Sequence, residues 1–166
     1  RPPSYPAIVT TDTITGRPTR HLPLPLGPIP GAEKVAWSPV SDEIAIQAKE
    51  SPGRHAIWIV RADGARPRRL VQFESHTYSG VDWTADGSSL IYSAIVDGRM
   101  QLFAIPSRGG RPTRLTRDEW NVLHPAVSPD GRVVAATRIR THKSILRLRL
   151  RRDSLDGARD PDLRAI

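Results

Sequence analysis

The chain has 166 residues and a formal net charge of +8, carried by 25 Lys and Arg against 17 Asp and Glu. It contains no cysteine, which excludes disulfides and thiolate metal sites, and it has no apolar run of about 18 residues, the length needed to span a membrane. Sixteen prolines and twelve glycines disfavour long helices, because each proline lacks an amide donor and fixes its own φ. We therefore expect short elements joined by many turns.

Three segments align without gaps and mark an internal repeat. They are AWSPVSDEIAIQA (36–48), DWTADGSSLIYSA (82–94) and AVSPDGRVVAATR (126–138). Trp37, Trp83 and Val127 share one column, at nearly equal intervals of about 45 residues. A second set of columns follows, in which GRPTR at 16–20 recurs letter for letter at 110–114. The chain thus holds about three and a half repeat units.

In chain order, the repeat predicts a succession of complete and partial units. We expect the second half of a preceding unit over 1–22, a Pro-rich connection over 23–31, full units over 32–75 and 76–118, three strands of a further unit over 119–152, and a weak fourth strand or tail over 153–166. Within each full unit, four apolar runs are separated by turns rich in Gly, Asp and Pro, which is typical of strands. Each unit should therefore be a four-stranded antiparallel meander.

The turn Ser128-Pro129-Asp130-Gly131 closes the first strand pair of the last unit. Serine suits the first position of a type I turn, proline presets φ at the second, and glycine accepts the final left-handed conformation. Asp86 and Gly87 occupy the same columns in the unit before. With Trp37 and Trp83, which we expect to pack between neighbouring units, these residues form a structural signature of the repeat rather than a catalytic one.

The turn, the apolar strand after it, the D-G or G-G turn and the R-P-x-R-L-T-like strand resemble the WD-repeat-like blade of the TolB-type propeller family over roughly 7–150. The resemblance implies a bacterial, often periplasmic repeat protein. It also implies that strands ending at Trp37, Trp83 and Val127 line a central channel. The expected fold class is all-β, an incomplete propeller of about three and a half four-stranded blades.

Closed propellers have about four to eight blades, so two explanations of the shortfall are open. The chain is a segment of a longer propeller, or two copies combine into a closed ring. The absence of an initial methionine and the half unit at the start favour the segment, because a homodimer would normally begin and end on matching blade boundaries. A size measurement would separate the two.

Motifs of catalysis are missing: the chain has no G-x-S-x-G, no H-E-x-x-H and no phosphate-binding loop, and its five histidines lie far apart. We expect no catalysis by this chain, no cofactor and no metal. The segment 138–152 has the densest positive charge of the chain. It contains no aromatic residue that could stack on bases, so nucleic acid is disfavoured as a partner. A solvated strand face, or pairing with acidic residues, accounts for this charge.

Propeller geometry directs the search for a binding surface to the loops that enter each innermost strand, where successive blades converge on one mouth of the channel. The polar and aromatic candidates in those loops are Glu33, Lys34, His76, Tyr78, Asn121 and His124. Taken singly, each is more often an ordinary solvated loop residue. The expected function is a non-catalytic scaffold that binds protein partners. The alternative is an accessory propeller that gates substrate or senses ligand in a larger enzyme, such as a prolyl-oligopeptidase-type hydrolase, an amidohydrolase or a serine/threonine kinase.

Overall fold

The computed structural model describes residues 7–23, 32–75 and 79–140, which form twelve strands and no helix. The strands are β1 (Ala7–Thr11), β2 (Pro18–Pro23), β3 (Ala32–Trp37), β4 (Glu43–Ser51), β5 (Arg54–Arg61), β6 (Arg68–Glu74), β7 (Val81–Trp83), β8 (Ser89–Val96), β9 (Arg99–Pro106), β10 (Thr113–Arg114), β11 (Asn121–Val127) and β12 (Val134–Ile139). The third strand and tail expected after Arg140, and most of the Pro-rich connection, lie outside the described residues.

Two antiparallel meanders form the centre of the molecule. The first sheet has the order β3-β4-β5-β6, and the second has β7-β8-β9-β10, so each strand pairs with its sequence neighbour. The two central strands of each sheet are joined by two-residue turns. In the turn from β8 to β9, Asp97 and Gly98 both have positive φ, as a tight hairpin turn requires. The predicted all-β class of four-stranded antiparallel blades is confirmed.

The hydrophobic core lies between these two sheets. Ala45, Ile57 and Ile59 of the first sheet, all at most 1% exposed, pack against Trp83 and Leu90 of the second. A row of rings continues the contact, because Phe73 of β6 lies 5.0 Å from Tyr92 of β8 and Tyr92 lies 5.8 Å from Phe103 of β9. Burial of this apolar surface is the main force that holds one sheet against the next.

The inner strands β3, β7 and β11 begin the three successive sheets and lie side by side, β3 against β7 and β7 against β11. The hairpin β11-β12 packs on the second sheet through β11, whereas every residue of β12 is exposed. The hairpin β1-β2 contacts none of the other described strands. The core therefore spans the two complete sheets and reaches the third through its inner strand.

Candidate functional site

Each inner strand ends in a turn that its own side chains close. Ser128 Oγ donates a hydrogen bond to Asp130 Oδ1 (2.6 Å) and accepts one from the amide of Val133 (3.0 Å), while the Gly131 amide donates to the Ser128 carbonyl (2.8 Å). The hydroxyl of Ser128 thereby lowers the pKa of Asp130. These bonds account for the polar groups of the turn by local structure.

The turn of the second sheet repeats this arrangement with threonine in place of serine. Thr84 Oγ1 donates to Asp86 Oδ1 (2.7 Å), and both the amide and the hydroxyl of Ser88 donate to the same oxygen (3.0 and 2.9 Å). The pKa of Asp86 falls from its usual 3.8 to about 2, chiefly because of the Thr84 hydrogen bond. The charged carboxylate is thus part of the folded turn.

Neighbouring turns also contact one another through their glycines. A Cβ at Gly87 would meet the side chain of Val40 in the preceding turn, and a Cβ at Gly131 would lie 3.2 Å from the Cβ of Ala85. Both glycines have positive φ, so each serves a left-handed turn position and a close approach at once. The three turns therefore form a continuous row at one end of the inner strands.

The two tryptophans of the repeat have different surroundings. Trp83 is 3% exposed and donates from Nε1 to the carbonyl of Ala36 (3.0 Å), which joins the second sheet to the first. Trp37 is 53% exposed. Among the described strands, β3 contacts β4 and β7, and the packing of Trp37 between blades stays a prediction.

A cavity of about 250 Å³ opens where the three turns meet. Its lining combines the repeat tryptophans with proline and small turn residues: Trp37, Pro39, Asp82, Trp83, Ala85, Val127, Ser128 and Pro129. Pockets for drug-sized ligands measure about 300–1,000 Å³, so this cavity matches a single large side chain better than a whole cofactor. Three successive sheets contribute to it, so it exists only because they pack together.

Asp82 supplies the charged group of this cavity. Its Oδ2 accepts a hydrogen bond from the amide of Val127 (2.7 Å) and its Oδ1 accepts one from the amide of Trp83 (2.9 Å), so the carboxylate is held across the second and third sheets. Sequence reasoning did not single out Asp82. The indication was present, since the repeat places Ala36 and Ala126 in the same column and aspartate is the exception there.

The residues predicted to bind a partner are those of the loops that enter the inner strands, at the end opposite the turns, and their surroundings differ. Lys34 is exposed on β3, and His124 is exposed on β11 with φ of 52° at a bulge. Asn121 accepts a hydrogen bond at Oδ1 from the Met100 amide (2.9 Å), which ties β11 to β9. None of these three lines the cavity.

The side chains of the three remaining predicted residues lie outside the described part of the structure. Glu33 falls within β3 rather than in a loop, and its side chain is not described; His76 and Tyr78 lie outside the described residues. A shared ligand site at that mouth stays a prediction. Among the residues that the structure describes, no three His, Asp or Glu side chains gather as metal ligands would, and no helix could cross a membrane.

An aromatic partner for the basic segment comes from Trp120, just before β11. The guanidinium of Arg138 lies 4.1 Å from the ring centroid of Trp120 and binds Asp118 through Nε (2.8 Å) and an NH2 group (2.9 Å). Gln101 fixes this segment, because its Nε2 donates to the carbonyls of Asp118 (2.9 Å) and Trp120 (3.1 Å). Arg138 therefore pairs with a carboxylate and an indole of its own chain.

Comparison with known proteins gives a consistent fold. No family model matches the chain. An uncharacterized protein of Agrobacterium fabrum strain C58 is 31% identical over 124 residues, covering 74% of this chain and 42% of that relative, so the chain spans less than half of the relative's length.

Two solved structures resemble the chain. TolB from Acinetobacter baumannii has a TM-score of 0.63 at 21% identity, over 80% of this chain and 32% of that protein. A TolB candidate from Agrobacterium tumefaciens has a TM-score of 0.50 at 30% identity, over 57% of this chain and 34% of that protein. Over the part it spans, the chain therefore has the fold of a TolB-type β-propeller.

Proposed function

We propose that the chain is a non-catalytic propeller segment that binds a protein partner through the cavity between its repeat turns. The observation that carries this proposal is Trp37, a residue that is 53% exposed in a concave site instead of buried in a core. Tryptophan is enriched among the residues that dominate protein interfaces, because it buries a large rigid surface at small entropic cost.

The shape and composition of the cavity support a peptide segment as ligand. Pro39 and Pro129 line the cavity with rigid apolar surface, and Ser128 adds a polar turn residue to the lining. A volume of about 250 Å³ accommodates one anchoring side chain, while the exposed turns around it offer surface to the rest of the segment.

Catalysis finds little support in this site. The hydroxyls of Thr84 and Ser128 each donate to the aspartate of their own turn, and the lowered pKa of both aspartates makes them weak bases. No histidine lines the cavity, whereas an activated nucleophile needs a base with a pKa near the working pH within hydrogen-bond reach. The resemblance to TolB-type propellers supports a bacterial, extracytoplasmic setting and a segment of a longer propeller.

The second candidate is an accessory propeller of a larger enzyme. The relative from Agrobacterium fabrum is more than twice as long as the matching region, which leaves room for a further domain. A hydrolase or kinase motif in the complete reading frame would favour this alternative, and a frame that contains only further blades would favour the scaffold.

Selection from a displayed peptide library tests the proposed function. We expect the 166-residue chain to select peptides whose affinity, measured by fluorescence polarisation, falls about tenfold or more in Trp37→Ala. Trp120→Ala is the matched control, because this partly exposed tryptophan lies outside the cavity lining, and it should leave the affinity unchanged. Peptides that bind Trp37→Ala as tightly as the parent chain would refute the cavity as the binding site.

A further inference from the structure

Asp82 is a partly buried carboxylate in the lining of the cavity, and it has no cation beside it among the described residues. Four aspartates of the described residues pair with arginine: Asp63 with Arg61, Asp97 with Arg114, Asp118 with Arg138 and Asp130 with Arg132. Asp82 makes no ion pair within the described ranges, although it is partly buried in a cavity lined by indole rings and prolines. A partly buried carboxylate gains more from a cation than an exposed one does, because water screens the attraction less.

The carboxylate keeps acceptor capacity toward the cavity. An ionised carboxylate offers about four lone-pair sites, and the amides of Val127 and Trp83 occupy one on each oxygen. The two amides also hold the group in place, so a ligand that binds it need not order it first.

The chain itself shows what such a pair of groups holds. At the other end of β11, the guanidinium of Arg138 binds the Asp118 carboxylate through two nitrogens and lies 4.1 Å from the ring centroid of Trp120. A guanidinium suits this arrangement because its edge donates hydrogen bonds while its face stacks on an aromatic ring.

We propose that the cavity binds an arginine side chain of a partner segment, with Asp82 accepting its hydrogen bonds and Trp37 covering its face. This inference rests on the proposed function, since it names the side chain that the partner inserts. Asp82 carries the sole charge among the lining residues, so the cavity selects a cation over an anion or a neutral group. The exposed half of the Trp37 indole supplies the apolar wall that desolvates it.

The test uses the Trp37-dependent peptides selected above. We expect them to contain arginine at a fixed position and to bind Asp82→Asn about tenfold or more weakly, because a charge-assisted hydrogen bond is lost. Replacing that arginine by citrulline, which keeps its shape without its charge, should cost as much. The two losses should not add when combined, since they remove one contact.

Asparagine at position 82 retains an oxygen for the Val127 amide, and the thermal unfolding of the variant shows whether the fold is intact. Asp97→Asn is the control, because this carboxylate lies outside the cavity and should leave affinity unchanged. If Asp82→Asn unfolds, the citrulline peptide alone decides. Trp37-dependent peptides that bind without arginine, or that tolerate citrulline, would overturn the arginine proposal and leave the proposed function standing. Selection that gives no Trp37-dependent peptide would overturn both.

Discussion

Trp37 and Trp83 end equivalent strands of two successive sheets, yet the first is 53% exposed and the second is 3% exposed. The repeat determines where each ring points, and the neighbouring sheet determines whether the ring is covered. Trp83 meets the carbonyl of Ala36 and becomes part of a core. The same residue type in the same register thus stabilises the fold at one position and, in the proposed function, binds a partner at the other.

The largest expected effect is the difference in stability between the alanine variants of the two tryptophans. We expect Trp83→Ala to lower the free energy of unfolding by about 3–5 kcal/mol, because it leaves a cavity between two sheets and removes the hydrogen bond to the Ala36 carbonyl. Trp37→Ala should cost at most about 1 kcal/mol, as half of its surface already contacts solvent. Urea unfolding of the two variants makes the comparison, and equal losses would contradict it.

Alanine at two glycines tests the contact between turns. Gly87 and Gly98 have similar positive φ, +66° and +74°, but a Cβ at Gly98 meets nothing within 4 Å, while one at Gly87 meets Val40. The left-handed backbone should cost about 1–2 kcal/mol in either variant, and the contact should add about 1 kcal/mol or more to Gly87→Ala.

Val40→Ala provides the control for this difference. In that background the extra cost of Gly87→Ala should disappear, because the side chain it would meet has been removed. A difference that persists would mean that the turns of the first and second sheets are energetically independent.

Acid titration gives the smallest expected effect. Asp86 has a pKa of about 2 in the fold and 3.8 otherwise, so its ionised form stabilises the folded state above pH 3.8 and this contribution is lost as the pH falls toward 2. Asp86→Asn should therefore be less stable than the parent chain at neutral pH, and the gap should narrow through that window. Unfolding monitored by circular dichroism at several pH values measures it, and a gap independent of pH would rule out the charged turn.

Much of the fold was predictable because the same pattern of strands and turns occurs in three aligned repeat units. The columns that hold Trp37, Trp83 and Val127 set the strand ends, and the Asp-Gly pairs at 86–87 and 97–98 set the hairpins. Short-range turn chemistry and strand periodicity both act within one unit, so an alignment of units reveals them.

The candidate site was less predictable, because it depends on contacts between units. Binding through the loops that enter the inner strands stays a prediction; of the residues named there, Asn121 accepts a hydrogen bond from the Met100 amide and Lys34 is exposed on β3. The cavity instead lies at the opposite ends of the same strands, where Asp82 bridges to Val127. A residue that departs from its column, as Asp82 does, was the indication that sequence reasoning overlooked.

The row of interlocked turns has a consequence for how such a chain diverges after its units are duplicated. Residue 87 faces residue 40 and residue 131 faces residue 85, so each glycine is confined by a side chain from the preceding copy. Substitutions on the strand surfaces affect one unit at a time, whereas a substitution at one of these turn positions requires a matching change in the neighbouring unit. In relatives of this chain, residue 40 should therefore covary with residue 87, and residue 85 with residue 131. Such covariation would identify which repeat units are adjacent in the fold.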